Sequence, residues 1–368
     1  MAIERASILG KIKDLEEELK KTKYNKKTQA HIGLLKAKIA RLKQEDIRRS
    51  AAKGKTEGFS VKKTGDATVI IVGFPSVGKS TLLNVLTNAN SEVAAYSFTT
   101  LTCIPGLLEY KGARIQILDV PGIVEGAASG RGRGKEVLAC AQSADLALIL
   151  LDVFHPEHLE TILKEIYDTN LRVNKRKPDV TVTKKPRGGI DIGSTVKLTQ
   201  LDNKLISDIL REYKLNNCSI LIRDNISVEE LCDAIEGNKK YIPAITVLNK
   251  IDLVSKEELE KIKSKYNIDI CVSAEKAINL EELKELIFRK LNFIRIFCKE
   301  AGKRADLEIP LIMKNPATVE DVCLKLHKDF VAKFKFARIW GTSSKFPGQK
   351  LGLTHKLQDK DVVEIHVR

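Results

Sequence analysis

The chain has 368 residues, 43% of them hydrophobic, and a formal net charge of +15. That length suggests two to four domains with real apolar cores. Seven cysteines, at 103, 140, 218, 232, 271, 298 and 323, form no Cys-x-x-Cys pair, so neither a zinc site nor a disulfide framework is indicated, and the expected setting is cytoplasmic. The N-terminus is charged rather than secretory, and the longest strongly apolar stretch, residues 146–151, is too short to span a membrane.

In chain order, residues 1–63 read as a basic helical hairpin and linker. Ile8, Ile12, Leu15 and Leu19 mark one apolar stripe, and Ile32, Leu35, Ile39 and Leu42 mark another, both at a/d-like spacing. Residues 67–72, Ala-Thr-Val-Ile-Ile-Val, then read as a buried strand. Gly73-Phe74-Pro75-Ser76-Val77-Gly78-Lys79-Ser80 follows at once, and Thr81 opens an apolar helical pattern. Strand, glycine loop and helix are the setting in which backbone N–H groups and a helix N-terminus converge on phosphate oxygens. Lys79 is the candidate for the β- and γ-phosphates, and the Ser80 hydroxyl for Mg²⁺.

A second apolar run, residues 114–118, leads to Asp119-Val120-Pro121-Gly122. An aspartate at the carboxyl end of a strand beside the phosphate loop is placed to hold Mg²⁺, and the Gly122 N–H to sense the γ-phosphate. Between these motifs lies Tyr96-Ser97-Phe98-Thr99-Thr100, where a threonine in a switch loop would close on Mg²⁺. The residues alone leave Thr99 and Thr100 as alternatives.

After a strand at 147–153 and a helix from about 156 to 169, the next nucleotide motif is delayed by some 80 positions. The intervening residues 171–240 read as a small α/β insertion. It opens with a basic run, Arg172, Lys175, Arg176, Lys177, Lys184, Lys185 and Arg187, which is a candidate RNA contact; a solvated loop is the plainer alternative. Helices are expected around Leu205–Leu210 positions and from Ser227, with a strand at 219–222 between them.

Asn249-Lys250-Ile251-Asp252 then follows an apolar strand at 242–248. A carboxylate accepts two hydrogen bonds from the guanine edge, and adenine offers no such donor pair, so Asp252 predicts GTP over ATP. Unpaired buried polar groups can impose selectivity of roughly 10⁴-fold. Asn249 can tie this loop to the phosphate loop, and the Lys250 stem can cover the base. Ser273 and Ala274 end a further short strand and can offer N–H groups to the base oxygen. From 294 onward, a strand, a helix with a capping box at Thr318 and Asp321 that carries Val322, Leu326 and Phe330, and further strands fit a ubiquitin-like β-grasp. Trp340, with Phe346, Lys345 and Lys350 nearby, is a core candidate before it is a stacking surface.

Charge is uneven along the chain. Residues 1–63 carry +10, 64–170 carry −5, 171–240 carry +4, 241–293 are neutral and 294–368 carry +6. Basic appendages around a neutral to acidic nucleotide site suggest an RNA-rich partner.

Together, Gly-Phe-Pro-Ser-Val-Gly-Lys-Ser at 73–80, Tyr-Ser-Phe-Thr-Thr-Leu-Thr at 96–102, Asp-Val-Pro-Gly-Ile-Val-Glu-Gly-Ala at 119–127, Gly-Arg-Gly-Arg-Gly at 130–134 and Asn-Lys-Ile-Asp at 249–252 resemble the developmentally regulated GTP-binding proteins, within the Obg-related GTPases. The likeness covers essentially the whole chain. It implies an α/β fold: a P-loop GTPase domain (64–293) with a mostly parallel sheet and helices on both faces, a ribosomal-protein-like insertion (171–240), and a C-terminal TGS domain (294–368). It implies Thr100 as the Mg²⁺ threonine, GTP and GDP as ligands, the ribosome or its RNA as partner, and in many members a dedicated binding-partner protein. Ile123 follows Asp-x-x-Gly, where many GTPases carry the glutamine that orients water, so intrinsic turnover on the order of 10⁻⁴–10⁻² s⁻¹ is expected. Some hydrophobic-substituted GTPases use K⁺, often with an asparagine where this chain has Ser76; faster hydrolysis in K⁺ than in Na⁺ is the expectation. The leading function is a GTP switch on ribosomes. The alternatives are ribosome assembly, or an RNA-binding scaffold in which GTP is mainly structural.

Overall fold

The computed structural model describes residues 2–23, 25, 28–51, 65–87, 104–119 and 140–367. It forms two compact units, Met1–Phe59 with Asn170–Tyr241, and Ser60–Thr169 with Ile242–Arg368.

The second unit is built on a six-stranded sheet. Its strands are β1 (Ala67–Val72), β2 (Ile104–Tyr110), β3 (Ala113–Asp119), β4 (Leu146–Asp152), β10 (Ala244–Asn249) and β11 (Ile270–Cys271), in the order β11-β10-β4-β1-β3-β2. All neighbours are parallel except β2 and β3. That pair is a hairpin closed by Lys111 and Gly112, both at positive φ, the pair of torsions a twisted two-residue turn demands. Every residue of β1, β4 and β10 is buried, because helices cover a parallel sheet on both faces. Val69, Ile71, Leu82, Leu83, Ile115, Leu148 and Val247 lie in the core. The parallel strands bring the carboxyl ends of β1, β3, β4, β10 and β11 to one edge, where open α/β sheets bind ligands.

The same unit holds a second sheet of β12 (Phe293–Cys298), β13 (Leu311–Lys314), β15 (Phe334–Trp340), β16 (Gln349–Leu351) and β18 (Val362–Val367), ordered β13-β12-β18-β15-β16. Its central pair, β12 and β18, is parallel, and the other pairs are antiparallel. The expected capping box is present: Asp321 N–H donates to Thr318 Oγ1, and Asp321 in turn accepts from Thr318 N–H. The helix it starts, α9 (Val319–Leu326), is shorter than the sequence reading. His327 adopts extended torsions and its ring accepts from Asp329 N–H, so Phe330 belongs to a separate helix, α10 (Lys328–Ala332). Trp340 is half-buried, with Lys299 Nζ 4.6 Å from its ring centre.

The first unit joins two distant segments. Helices α1 (Ala2–Lys21) and α2 (Gln29–Ala51) pack through Ile8, Ile12 and Ile39, with Leu15, Leu19 and Leu42. The other face of α2, carrying Leu34, Ala37 and Ala40, packs on α5 (Asn203–Glu212) and α6 (Val228–Glu236) of the insertion. Lys36 donates to Glu229 at 2.6 Å and Arg41 lies 3.0 Å from Glu212 along this seam. The insertion also holds a three-stranded sheet, β6-β8-β7, in which β6 (Val180–Lys184) and β7 (Ile190–Ser194) flank the expected strand, β8 (Cys218–Ile222).

Candidate functional site

The loop 73–80 leaves the end of β1 and enters α3 (Lys79–Leu86). Gly78 sits at φ +95, and a Cβ there would lie 2.5 Å from Asn249 Nδ2, so the position demands glycine twice over. Lys79 Nζ donates to Gly73 O at 3.0 Å and Phe74 O at 2.9 Å, which holds the ammonium against the loop. Val77 is buried, Ser76 takes a left-handed torsion of +64°, and Pro75 and Thr81 are exposed.

Register pairs Ile71 of β1 with Asp119 of β3, so the Asp119 carboxylate falls beside the phosphate loop. Ser80 Oγ lies 3.4 Å from Asp119 Oδ2. Asp119 is 6% exposed, and among the described residues its Oδ1 has no hydrogen-bond partner. Burial raises its pKa, with Lys79 and Ser80 pulling the other way. A buried carboxylate oxygen left without a donor, next to a hydroxyl, is a donor set that suits a hard cation such as Mg²⁺.

At the other end of the edge, Asn249 is 2% exposed and links three loops. Its Nδ2 donates to Val77 O at 2.9 Å, and its Oδ1 accepts from Ala274 N–H at 3.0 Å. Lys250, at φ +65, donates to Ser76 O at 2.7 Å and lies 3.6 Å from Asp152. Ile251 N–H donates to Val272 O at 3.3 Å, which seats the short 3₁₀ turn Ile251–Leu253. The Asp252 side chain is 7% exposed and lies 3.6 Å from Lys276 Nζ. A hydrogen bond from Ser273 is the main cause of its lowered pKa, with Lys276 adding to it. Ser273 is fully buried.

The structure thus brings the phosphate loop, Asp119, Asn249–Asp252 and Ser273–Ala274 to one edge. Thr99, Thr100, Val120, Pro121, Gly122 and Ile123 lie outside the described residues. Sequence reading missed Asp152 and Lys276. Asp152 carried a signal, since it ends an apolar strand as Asp119 does; Lys276 carried none. The basic run of the insertion also needs correcting. Arg172 is 3% exposed and makes two hydrogen bonds to Asp233, at 2.5 and 2.7 Å, so it is a core ion pair and not a nucleic-acid contact. Lys175, Arg176, Lys177, Lys184 and Arg187 are exposed.

Comparison with known proteins decides the family. A model described as a 50S ribosome-binding GTPase matches residues 68–185, one described as the C-terminal region of that domain matches 187–293, and a TGS-domain model matches 294–367. An uncharacterized GTP-binding protein of Methanocaldococcus jannaschii is 53% identical over 97% of this chain and 92% of its own length. Developmentally-regulated GTP-binding protein 2 of Homo sapiens is 45% identical over 97% of this chain and 99% of its own. The chain belongs to the developmentally regulated GTP-binding protein family. As a member of it, the protein is a GTPase, converting GTP and water to GDP and phosphate, with a P-loop GTPase domain and a C-terminal TGS domain. Among solved structures, the YchF GTPase of Schizosaccharomyces pombe aligns at 12% identity and TM-score 0.44, over 83% of this chain and 99% of that one. No helix among the described residues is long and apolar enough to cross a membrane.

Proposed function

We propose that this GTPase is a switch acting on ribosomes during translation, with residues 64–293 carrying the nucleotide cycle and residues 1–63, 171–240 and 294–368 carrying contacts to ribosomal RNA. The observation that carries the nucleotide part is Asn249, which bonds the phosphate loop through Val77 O and the base loop through Ala274 N–H. One buried side chain therefore sets the spacing between the grip on the phosphates and the grip on the base. Lys79 contacts the β- and γ-phosphates, the loop N–H groups of 73–81 line them, Asp252 accepts from the guanine edge, and Ser273 and Ala274 face its oxygen. Ionised Asp252 retains lone pairs beyond those used by Ser273 and Lys276.

Ser80, Asp119 and Thr100 would hold Mg²⁺, which when bound neutralises charge building on the phosphate oxygens. Lys79 adds a fixed positive charge where that charge develops, and Gly122 reports the γ-phosphate through its N–H. Ile123 cannot orient water, so turnover by the chain alone is slow, on the order of 10⁻⁴–10⁻² s⁻¹. K⁺ beside Ser76 and the phosphate loop would speed it.

Support for a ribosomal partner comes from charge: +10, +4 and +6 on the three appendages against −5 and zero on the catalytic segments. The description of the family model over 68–185 points the same way. GTP hydrolysis measured with and without ribosomes, in K⁺ and in Na⁺ at equal ionic strength, tests the reading. Stimulation by ribosomes and faster turnover in K⁺ are expected. Rates indifferent to ribosomes would remove the switch-on-ribosome reading, and equal rates in the two salts would remove the K⁺ site.

A further inference from the structure

Just past β4, the chain reads Asp152-Val153-Phe154-His155-Pro156-Glu157-His158, and helix α4 (His158–Asp168) begins. None of the last four residues takes part in the nucleotide site described above. We propose that His155, Glu157 and His158 form a site for a first-row transition-metal dication of the zinc, nickel or cobalt class, on the rim of the nucleotide site.

Three donors converge there. One ligand atom from each residue lies within 4.8 Å of the others. His155 Nδ1 and Glu157 Oε1 are 3.2 Å apart. A tetrahedral ion with bonds of about 2.0–2.1 Å sets its donors about 3.4 Å apart, so this pair already stands at coordination spacing. The third donor, on His158, already stands within 4.8 Å of both, and His155 and Glu157, each 58% exposed, have room to close on it by side-chain rotation. The backbone is fixed: Asp152 Oδ1 accepts from His155 N–H at 2.9 Å, and Pro156 locks its own φ. His158 is oriented by its neighbours, stacking on Phe74 at 4.0 Å and on His155 at 5.1 Å between ring centres.

Donor chemistry selects the ion. Two imidazoles and one carboxylate suit Zn²⁺, Ni²⁺ or Co²⁺, whereas Ser80 and Asp119 offer hard oxygens suited to Mg²⁺. The two sites therefore do not compete for one metal. The positive N-terminal end of α4 opposes a cation, and Glu157 at that end offsets it.

This position also touches the phosphate loop and is linked through Asp152 to the loop of Lys250. Phe74, under His158, belongs to the phosphate loop. Asp152, which holds His155, lies 3.6 Å from Lys250, and Lys250 bonds Ser76 O. A dication at the rim attracts the anionic nucleotide, so each raises the affinity of the other, by about fivefold if the coupling sits at the low end of the usual range.

Co²⁺ alone, titrated into the full chain and followed by visible absorption, tests the site. One equivalent should bind with ligand-field bands and no thiolate charge-transfer band, which separates it from binding at the cysteines. His155→Ala and His158→Ala should each weaken binding at least about tenfold, and Glu157→Gln should weaken it too. The melting temperature and GDP affinity of metal-free His155→Ala should match the parent, since that side chain is exposed. Binding unchanged by His155→Ala, a spectrum carried by thiolate, or no binding at millimolar Co²⁺ would overturn the site. GDP affinity measured with and without Ni²⁺ tests the coupling. It should rise in the parent chain and not in His155→Ala, and equal affinities in the parent would overturn the coupling.

Discussion

Asp119 and Asp252 lie at the two ends of one site, and both side chains are nearly withdrawn from water. Their surroundings differ. Burial dominates at Asp119 and raises its pKa, and one of its oxygens has no partner among the described residues. At Asp252 the Ser273 hydrogen bond dominates and, with Lys276, lowers the pKa. The Asp252 end is thus organised by the protein's own groups. The Asp119 end carries a buried carboxylate oxygen of the kind that suits a hard cation. On the roles proposed above, the base meets a group whose partners are already in place, and the part that changes during hydrolysis is left to be completed by the ligand.

The sharpest way to break the comparison is Asp252→Asn. An amide presents a donor where guanine presents donors, so GTP affinity should fall by roughly 10³–10⁴-fold while xanthosine triphosphate gains. Competition binding with the two nucleotides reads this directly, and an undiminished preference for GTP would remove Asp252 from its role. Next, Lys79→Ala should lower hydrolysis by about 10²–10³-fold, the usual cost of removing one fixed charge-stabilising donor. Single-turnover assays at saturating GTP would show it, and a change in affinity alone would argue that Lys79 binds without favouring the transition state.

Asn249→Ala probes the link between the ends. It leaves Val77 O and Ala274 N–H unpaired in a buried place, at about 1–3 kcal/mol, so GDP affinity should fall about tenfold and the melting temperature should drop. An unchanged melting temperature would mean that the two loops hold their spacing without it.

The smallest effect is in pH, and it has opposite sign at the two aspartates. A carboxyl with a raised folded pKa destabilises the nucleotide-free fold above that pKa, and the penalty disappears as pH falls through it. Asp252 contributes stability above the ordinary carboxylate range, which is lost as pH falls through its lowered pKa. Asp119→Asn should therefore melt higher than the parent at neutral pH in the metal-free state. That advantage should shrink toward about pH 4, as the parent carboxyl protonates. Calorimetric melting of both proteins across this range checks the sign, and a constant difference would mean that Asp119 is already neutralised.

The phosphate loop was legible because its cause is local. An apolar-rich strand, two glycines and a helix lie within twenty residues, and Gly78 meets a torsion that side chains resist. The capping box at Thr318 was legible for the same reason, whereas the end of its helix was not, because it depends on the extended torsions of His327 and its bond from Asp329. Strands β6 and β7 escaped notice since their side chains are only half-buried or exposed, leaving no apolar run to read.

By itself, then, the sequence determined the order of the nucleotide motifs, the sheet that carries them and the purine they select, since each follows from residue types at short spacing. Tertiary structure alone decided that α2, through Leu34, Ala37 and Ala40, shares a core with an insertion more than 120 residues away, and that Arg172 is spent on Asp233. It also decided that Asn249 ties the loop of Val77 to the loop of Ala274. The physical reason is the same in each case: a side chain's periodicity or charge is written locally, but the partner that satisfies it is brought near only by the fold.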